Sequence, residues 1–419
     1  MKKKSMRNGA ARARALVLAA AGLLTAVGQA CLAEDLPSLN LAGLNTKPIS
    51  LMQFLEETRK TNTALNSKRL EIDSATANVE LMSMPYLSPS FSYSVGSYYR
   101  AVPYQPFISP QSNTYSFSAT IEAPGKREAR EAFANGEVGR HRQELLALQR
   151  NIEFDAALSY IDALRSKILW QIYERSVRRL SGNNDQRASD ILKEDQSNQK
   201  TAGRDIHFQS LGLYGYLGRS GAEIIEPVGS LSLAARQFDL AKTIQQALDS
   251  RADLQALSLT LASATNNLEM VKKNRRVDVG VGFSISDTPG YTSSGTTYNK
   301  TSTHGFSFSV PIPFQQISDA DVRQAGNTRT QIEINIRDLK ARIQSEVTQN
   351  HLRYLTAAEQ LQSAVRELNE VRAAANKNDS STLVTLRDKE IALLDAETAH
   401  VKALVGMLKA AGNYAIPPL

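Results

Sequence analysis

The chain has 419 residues, of which 42% are hydrophobic and 22% are charged. This composition is too apolar for a disordered chain and too polar for a protein made mostly of membrane-spanning helices. The formal net charge is +7, but the segment 1–33 carries six basic side chains and no acid. The rest of the chain is nearly neutral, so its charge does not indicate a nucleic-acid partner.

Residues 1–33 predict a secretory signal peptide. Basic residues precede the apolar run 15–24, and small residues then lead to Ala33, after which we expect cleavage. The run is too short to span a bilayer, and no later segment reaches the ~18 consecutive apolar residues of a spanning helix. We therefore expect an exported protein.

Cys31 is the only cysteine, and the sequence leaves two fates open for it. Cleavage after Ala33 would remove it, and the mature chain would then have neither a disulfide nor a thiolate metal ligand. Alternatively, Cys31 becomes a lipidated N-terminus, although Gly28 stands where the bacterial lipid-attachment pattern usually has Leu or Val. An exported chain of this length without disulfides is typical of a bacterial envelope protein stabilised by packing.

Two internal matches predict that the chain is a duplicated unit. The segment 70–80 resembles 259–269, and the segment 115–121 resembles 306–312. The matches occur in the same order, and in both the second copy follows the first by about 190 residues. Two matches at nearly the same offset indicate one repeated structural unit.

Each unit predicts the same order of elements: a helical stretch, two strands, a very long helix, a tight turn and a return helix. In the strands, apolar residues alternate with Ser, Gly or Asp, which predicts one apolar and one polar face. The first unit, 34–236, has predicted helix 50–85, strands 91–100 and 114–123, long helix 125–181 and return helix 186–217; the second, 237–419, has helix 239–276, strands 277–285 and 305–312, long helix 318–375 and return helix 380–411.

These elements favour an oligomeric membrane pore. Strands with an apolar face are stable in lipid only in a closed barrel, because unpaired edge groups are costly there. Four strands are fewer than the about eight of the smallest usual barrel, so several chains must contribute. A helix of ~57 residues is about 85 Å long, and it would continue the lumen away from the membrane.

The duplicated order resembles the outer-membrane efflux protein (TolC-like) family. Short segments that fit this resemblance are 251–254 (Arg-Ala-Asp-Leu), 311–314 (Pro-Ile-Pro-Phe) and 124–130, the last two at strand-to-helix junctions. The resemblance implies an α plus transmembrane β fold. In it, a homotrimer forms a twelve-stranded outer-membrane barrel on a periplasmic α-helical coiled-coil tunnel. It also implies a periplasmic adaptor (membrane fusion) protein and an inner-membrane pump of the resistance-nodulation-division type as partners.

The function that this resemblance implies is a passive exit duct of a tripartite efflux system, with no enzymatic activity and no cofactor. The Gly-Lys-Arg junction at 125–127 and the short chain fit the branch that serves heavy-metal cation pumps. Two alternatives stay open: the outer channel of a type I protein-secretion system, and a periplasmic coiled-coil adaptor. No catalytic or metal-binding pattern is visible, because the five histidines fall on different predicted elements: His141, His207, His304, His351 and His400.

The resemblance also implies a periplasmic gate formed by acidic side chains of the return helices. Asp388 matches one gate aspartate, and Thr385 stands where some members carry another. Glu194 corresponds to Asp388 in the first unit, by the offset between the two predicted tips. A ring of carboxylates in a narrow bore attracts cations. The alternative is a solvated helix face of mixed charge, because Arg387 and Lys389 adjoin Asp388.

The turns after the two long helices are the predicted adaptor-docking tips. Basic residues near the first turn, among them Arg178 and Arg179, could pair with the adaptor's helical hairpins, and the alternative is a plain solvated tip. The tip residues are Gly182, Asn183, Asn184, Lys377, Asn378 and Asp379.

Overall fold

The structure is a computed structural model of the chain, and the residues that it describes are 46–86, 88–97, 111–181, 186–220, 223–293, 296–311, 319–374, 380–413 and 415–419. The predicted signal peptide and Cys31 lie outside the described residues. So do the predicted tip residues Gly182, Asn183, Asn184, Lys377, Asn378 and Asp379.

Helices make up most of the described chain. Two of them, α3 and α7, are 55 residues long each, and their ends fall close to those of the predicted long helices. The helices are α1 (Leu51–Thr61), α2 (Thr63–Ser83), α3 (Lys126–Leu180), α4 (Gln186–Leu217), α5 (Leu240–Ser250), α6 (Ala252–Asn274), α7 (Ala320–Ala374) and α8 (Ser380–Ala410).

Each of the helical stretches predicted over 50–85 and 239–276 consists of two helices. Asn62 separates α1 from α2, and its side-chain oxygen accepts two backbone N–H groups of α2 at 3.0 and 3.3 Å. Arg251 separates α5 from α6. Both residues have ψ 126, an extended value that interrupts the helical hydrogen-bond ladder. The two breaks are related by the same offset as the segments 70–80 and 259–269, so they occupy equivalent places in the two units.

The four longer strands form one antiparallel sheet in the order β2-β3-β5-β8. Strand β3 of the first predicted unit pairs with β5 of the second, so the two predicted strand pairs make a single sheet. Within the described residues, β2 and β8 each have a partner on one side only. The strands are β1 (Thr46–Ser50), β2 (Ser90–Ser97), β3 (Gln111–Ile121), β4 (Ile224–Val228), β5 (Val279–Thr288), β6 (Tyr291–Ser293), β7 (Thr296–Tyr298) and β8 (Thr301–Ser309).

Two small sheets were not predicted. Strands β1 and β4 pair in parallel, and the buried hydroxyl of Tyr160 on α3 lies 2.7 and 2.8 Å from the carbonyl oxygens of Ile49 and Val228. Burial raises the pKa of Tyr160 to about 12. Strands β6 and β7 form a hairpin inside the segment 286–304, which lies between the two predicted strands of the second unit. Strands of three to five residues are too short to show a periodicity that can be recognised from the sequence.

The helices pack side by side in two tiers that share α3 and α7. Near the sheet, α2 packs on α3, α3 on α6, and α6 on α7. At the opposite end, α4 packs on α3, α3 on α8, and α8 on α7. The largest buried side chains, including Tyr160, Tyr354 and Phe54, lie where the tiers meet. No helix among the described residues is both long and apolar enough to cross a membrane.

Candidate channel surfaces

The strand register places the apolar side chains of the large sheet on one face. Within the chain little covers them, since Phe306 is 79% exposed and Phe308 is 80% exposed. Exposed apolar patches of more than a few hundred Å² mark sites that contact a protein or a membrane. The rows that cross the sheet are Phe91–Phe117–Phe283–Phe306, Tyr93–Tyr115–Ile285–His304 and Ala119–Val281–Phe308.

This apolar face has a polar border at the end of the sheet distant from the helices. The next row contains Asn113, Asp287 and Ser302 beside a single apolar residue, Val95. The hydroxyl of Tyr93 donates to Asn113 Oδ1 at 2.9 Å. From Ile121 to the Tyr115 row, the apolar band spans about 20 Å along the strand. An apolar band of this height, bordered by tyrosines and then by polar groups, fits the hydrocarbon layer of a membrane.

The opposite face of the sheet carries small, uncharged side chains. Neighbouring hydroxyls meet across the strands, as between Ser90 and Ser118 at 2.7 Å. A Cβ at Gly282 would collide with Ser307 Oγ, so a larger residue there would require the Ser307 hydroxyl to rotate away. The rows are Ser90–Ser118–Gly282–Ser307, Ser92–Ser116–Ser284–Gly305 and Ser94–Thr114–Ser286–Thr303. This surface can contact water without presenting a fixed charge.

An ion pair connects the start of α3 to the residue before β5, at the strand-to-helix junction 124–130. Gly125 has φ +86, a left-handed conformation that favours glycine, and it precedes α3. Lys126 Nζ then donates to Asp278 Oδ1 at 2.8 Å. Burial raises the pKa of Asp278, but the hydrogen bonds from Lys126 and from the Ala123 N–H outweigh it, so the net pKa is lowered. The Gly-Lys-Arg segment therefore has a structural role at this junction.

The predicted gate residue Asp388 lies on α8 near its first turns and is half exposed. One of its oxygens accepts Arg387 Nε and Nη2 at 3.0 and 2.8 Å. Arg387 is buried and also pairs with Asp195 of α4, whose second oxygen accepts the Ser176 hydroxyl of α3 at 2.6 Å. Asp195 is fully buried. A continuous polar chain thus connects α3, α4 and α8 near the tip.

The other two predicted gate residues, Glu194 and Thr385, are exposed and do not belong to this polar chain. Glu194 is exposed, and its charge and that of Asp388 both act on Tyr173, whose pKa is raised mainly by burial. Thr385 is exposed, and its hydroxyl donates to the Ser381 carbonyl at 2.9 Å. The residue that sequence reasoning missed is Asp195, the neighbour of Glu194, because a local offset does not show which of two adjacent acids faces α8.

A second carboxylate near the tip collects three arginines. Glu390 of α8 is buried, and its oxygens lie 3.9, 3.7 and 3.9 Å from guanidinium nitrogens of Arg175, Arg179 and Arg372. Arg175 and Arg179 belong to the last turns of α3, and Arg372 to the last turn of α7. The contact shows that the tip ends of α3 and α7 lie at the same level. The sequence indicated Arg179 only as an adaptor-facing residue.

One histidine stands out by its burial. His400 of α8 is fully buried and packs against Tyr354, with the two rings tilted by 35° and their centroids 5.3 Å apart. Neither ring nitrogen has a hydrogen-bond partner among the described residues, and burial lowers the pKa of His400. Among all the residues that the structure describes, no three His, Cys, Asp or Glu side chains are grouped closely enough to hold a metal ion.

Comparison with known proteins relates this fold to outer-membrane channels. No protein-family model and no curated protein matches the chain. Among solved structures, the outer-membrane channel OprN has a TM-score of 0.66 at 15% identity, over 87% of this chain and 90% of that one. CusC, studied for its folding and transmembrane channel formation, has a TM-score of 0.67 at 15% identity, over 91% and 95%.

The CmeC outer membrane channel of Campylobacter jejuni has a TM-score of 0.62 at 12% identity, over 87% of this chain and 85% of that one. These matches extend over nearly the whole length of both proteins in each pair. The resemblance stated from the sequence is thereby confirmed at the level of the fold, and the chain has the fold of the TolC-like outer-membrane channels.

Proposed function

We propose that the protein is a subunit of an outer-membrane channel that serves as the passive exit duct of a tripartite efflux system. The observation that carries the proposal is the four-stranded sheet. One of its faces is apolar and exposed over the height of a lipid layer, and the other is lined by uncharged hydroxyl groups. Long helices fastened to one end of the sheet would extend the same lumen into the periplasm.

The edges of the sheet support assembly from several copies. Because all pairs in the order β2-β3-β5-β8 are antiparallel, β2 and β8 run in opposite directions. Strand β8 of one copy can therefore pair antiparallel with β2 of the next, which satisfies the edge groups that lipid would leave unpaired. Three copies would close a barrel of twelve strands, as the resemblance implies.

The polar face also bears on cargo. The described rows of this face contain only Ser, Thr and Gly, so a lumen lined by them would not select by charge. A wide uncharged duct suits a channel whose cargo is chosen by a partner, namely an inner-membrane pump of the resistance-nodulation-division type. The proposal of heavy-metal cations as cargo rests on the Gly-Lys-Arg junction and on the short chain, and the fold gives Gly125 and Lys126 of that junction a structural role.

The tip is the proposed site of gating and of adaptor docking. Asp388 is half exposed beside the buried Arg387, so three copies would bring three such carboxylates towards the axis, with Glu194 as their counterpart on α4 and Thr385 one turn away. The turns with Gly182, Asn183, Asn184, Lys377, Asn378 and Asp379 are the proposed contacts with the periplasmic adaptor. Closure at this end would make the duct open only when the adaptor engages it.

Reconstitution tests the channel function directly. The purified mature protein, in detergent, is expected to have the mass of three chains and to form conducting pores in planar lipid bilayers. A protein that stays monomeric and water-soluble without detergent, and that gives no conductance, would refute the proposal. Deleting the gene should raise sensitivity to exported compounds such as toxic metal cations, whereas loss of a secreted protein with unchanged sensitivity would favour the type I secretion alternative.

A further inference from the structure

The same two edges continue from the sheet into the helical tiers. Near the sheet the helix order is α2-α3-α6-α7, and at the tip end it is α4-α3-α8-α7. One edge of the subunit is therefore formed by β2, α2 and α4. The other is formed by β8 and by α7, which occupies the edge of both tiers.

Exposed apolar side chains lie on the first edge at two positions. Phe208 of α4 is 72% exposed, and it lies with Leu211 on the side of α4 opposite the buried residues Ala202 and Ile206, as 3.6 residues per turn requires. Leu70 of α2 is 67% exposed and lies about 140° around the helix from the buried Leu65. Both side chains are therefore largely uncovered within their own subunit.

The second edge carries matching side chains. Leu352 of α7 is 59% exposed and Ile334 is 49% exposed. Both lie on the side of α7 opposite Ile343, which is fully buried. Leu355, one turn from Leu352, is also exposed. Ile343 and its neighbours, which lie between Ile334 and Leu352 along α7, pack against α5. Of the exposed apolar side chains, Ile334 therefore lies on the sheet side of that contact, and Leu352 lies on the tip side.

The positions on the two edges lie at the same heights. Phe208 and Leu352 lie the same number of residues from the tip ends of their helices. Phe208 is counted from the first residue of α4, Gln186, and Leu352 is counted back from the last residue of α7, Ala374. The distance along the helix is about 33 Å in each case. At the sheet end, Leu70 stands before the end of α2 at Ser83, and Ile334 stands after the start of α7 at Ala320, by about 20 Å in each case.

We propose that α4 and α2 of one copy pack along α7 of the next copy through two apolar contacts. At the tip side, Phe208 and Leu211 meet Leu352 and Leu355, and at the sheet side Leu70 meets Ile334. The inference rests on the proposed ring of copies and extends it by naming the side chains that hold the helical part together. The contact joins two different edges, so it is heterologous and closes into a ring by rotation.

A second copy is the occupant that these observations favour. Two separate apolar positions on one edge recur on the other edge with the same spacing, and both continue the edges at which β2 and β8 lack partners within the described residues. An adaptor bound to the outside of the tunnel would contact the subunit without needing such a match between its two edges. The arginines around Glu390 lie near the tip and take no part in these apolar contacts.

Paired cysteine substitutions test the contact in the full-length protein. Phe208→Cys with Leu352→Cys, and Leu70→Cys with Ile334→Cys, should give crosslinked dimers and trimers with a short thiol-reactive crosslinker in membranes. The exchanged pair, Phe208→Cys with Ile334→Cys, is the matched control. It uses equally exposed positions, but Ile334 lies about 27 Å from Leu352 along the helix. Variants with only one introduced cysteine show whether Cys31 contributes to the crosslinked product.

The matched pairs should give roughly tenfold more crosslinked product than the exchanged pair, because thiols bridge only across a short gap. Equal product from both, or crosslinks to another periplasmic protein instead of a second copy, would overturn the inference. A trimeric mass without crosslinks from either matched pair would also overturn it while leaving the channel proposal standing. A monomeric mass in detergent would refute both.

Discussion

The two faces of the sheet predict opposite effects for the same substitution at adjacent residues. Phe306 lies in the middle row of the apolar face, and Ser307 lies on the hydroxyl face. In the proposed barrel, Phe306→Lys places a charge against the centre of the lipid layer and removes a lipid-facing aromatic ring, which together cost about 4–7 kcal/mol per subunit. That cost is comparable with the roughly 5–15 kcal/mol by which a typical folded domain is stable, so this variant should fail to assemble in the membrane.

Ser307→Lys faces water instead, and the opposing Gly282 has no side chain to obstruct it. We expect this variant to insert normally and to shift the pore towards anions, since a ring of positive charge repels cations from the lumen. The measurements are the yield of heat-resistant trimer from outer membranes and the reversal potential of single pores under a salt gradient. If Phe306→Lys assembled as well as Ser307→Lys, the assignment of the apolar face to lipid would be wrong.

Further predictions concern the tip and the buried histidine. Asp195→Asn should lower stability by about 2–3 kcal/mol, because the buried Arg387 then keeps only the half-exposed Asp388 as a carboxylate partner among the described residues. Glu194→Gln, at the exposed neighbour, should leave thermal unfolding in detergent unchanged, and equal effects of the two substitutions would contradict this placement. Asp388→Asn should weaken block of single pores by multivalent cations, and unchanged block would exclude Asp388 from the gate. Because the pKa of His400 is lowered in the folded protein, the unfolded chain binds the proton at a higher pH, and the free energy of unfolding should fall as the pH drops below about 6.5. His400→Leu should flatten this part of the plot of stability against pH. An unaltered slope would exclude His400 as its cause.

The polar chain through Ser176, Asp195, Arg387 and Asp388 links three helices near the tip. Three helices depend on one buried guanidinium, whose pKa burial lowers but whose hydrogen bond to Asp388 and the charges of Asp195 and Asp388 raise overall. Because Asp388 is half exposed, a partner or a cation can compete for it. Asp195 would then still hold Arg387 in place.

The sequence by itself determined the strands and the long helices, because their signals are local. The alternation in Phe91, Tyr93 and Val95 specifies a two-faced strand wherever its partner lies. The helical periodicity in Ile332, Ile336 and Leu339 likewise specifies a packed helix face. The breaks at Asn62 and Arg251 were missed because the segments on both sides of each break are helical, and only the backbone of that one residue departs from helical geometry.

The tertiary structure alone decided which elements meet. The pairing of β3 with β5 joins strands from different predicted units, and the parallel pairing of β1 with β4 brings together the two ends of the first predicted unit. The choice of Asp195 over Glu194, and the gathering of three arginines at Glu390, depend on how four helices pack. Such contacts depend on the joint burial of distant surfaces, and no periodicity within a single segment records which surface another segment will cover.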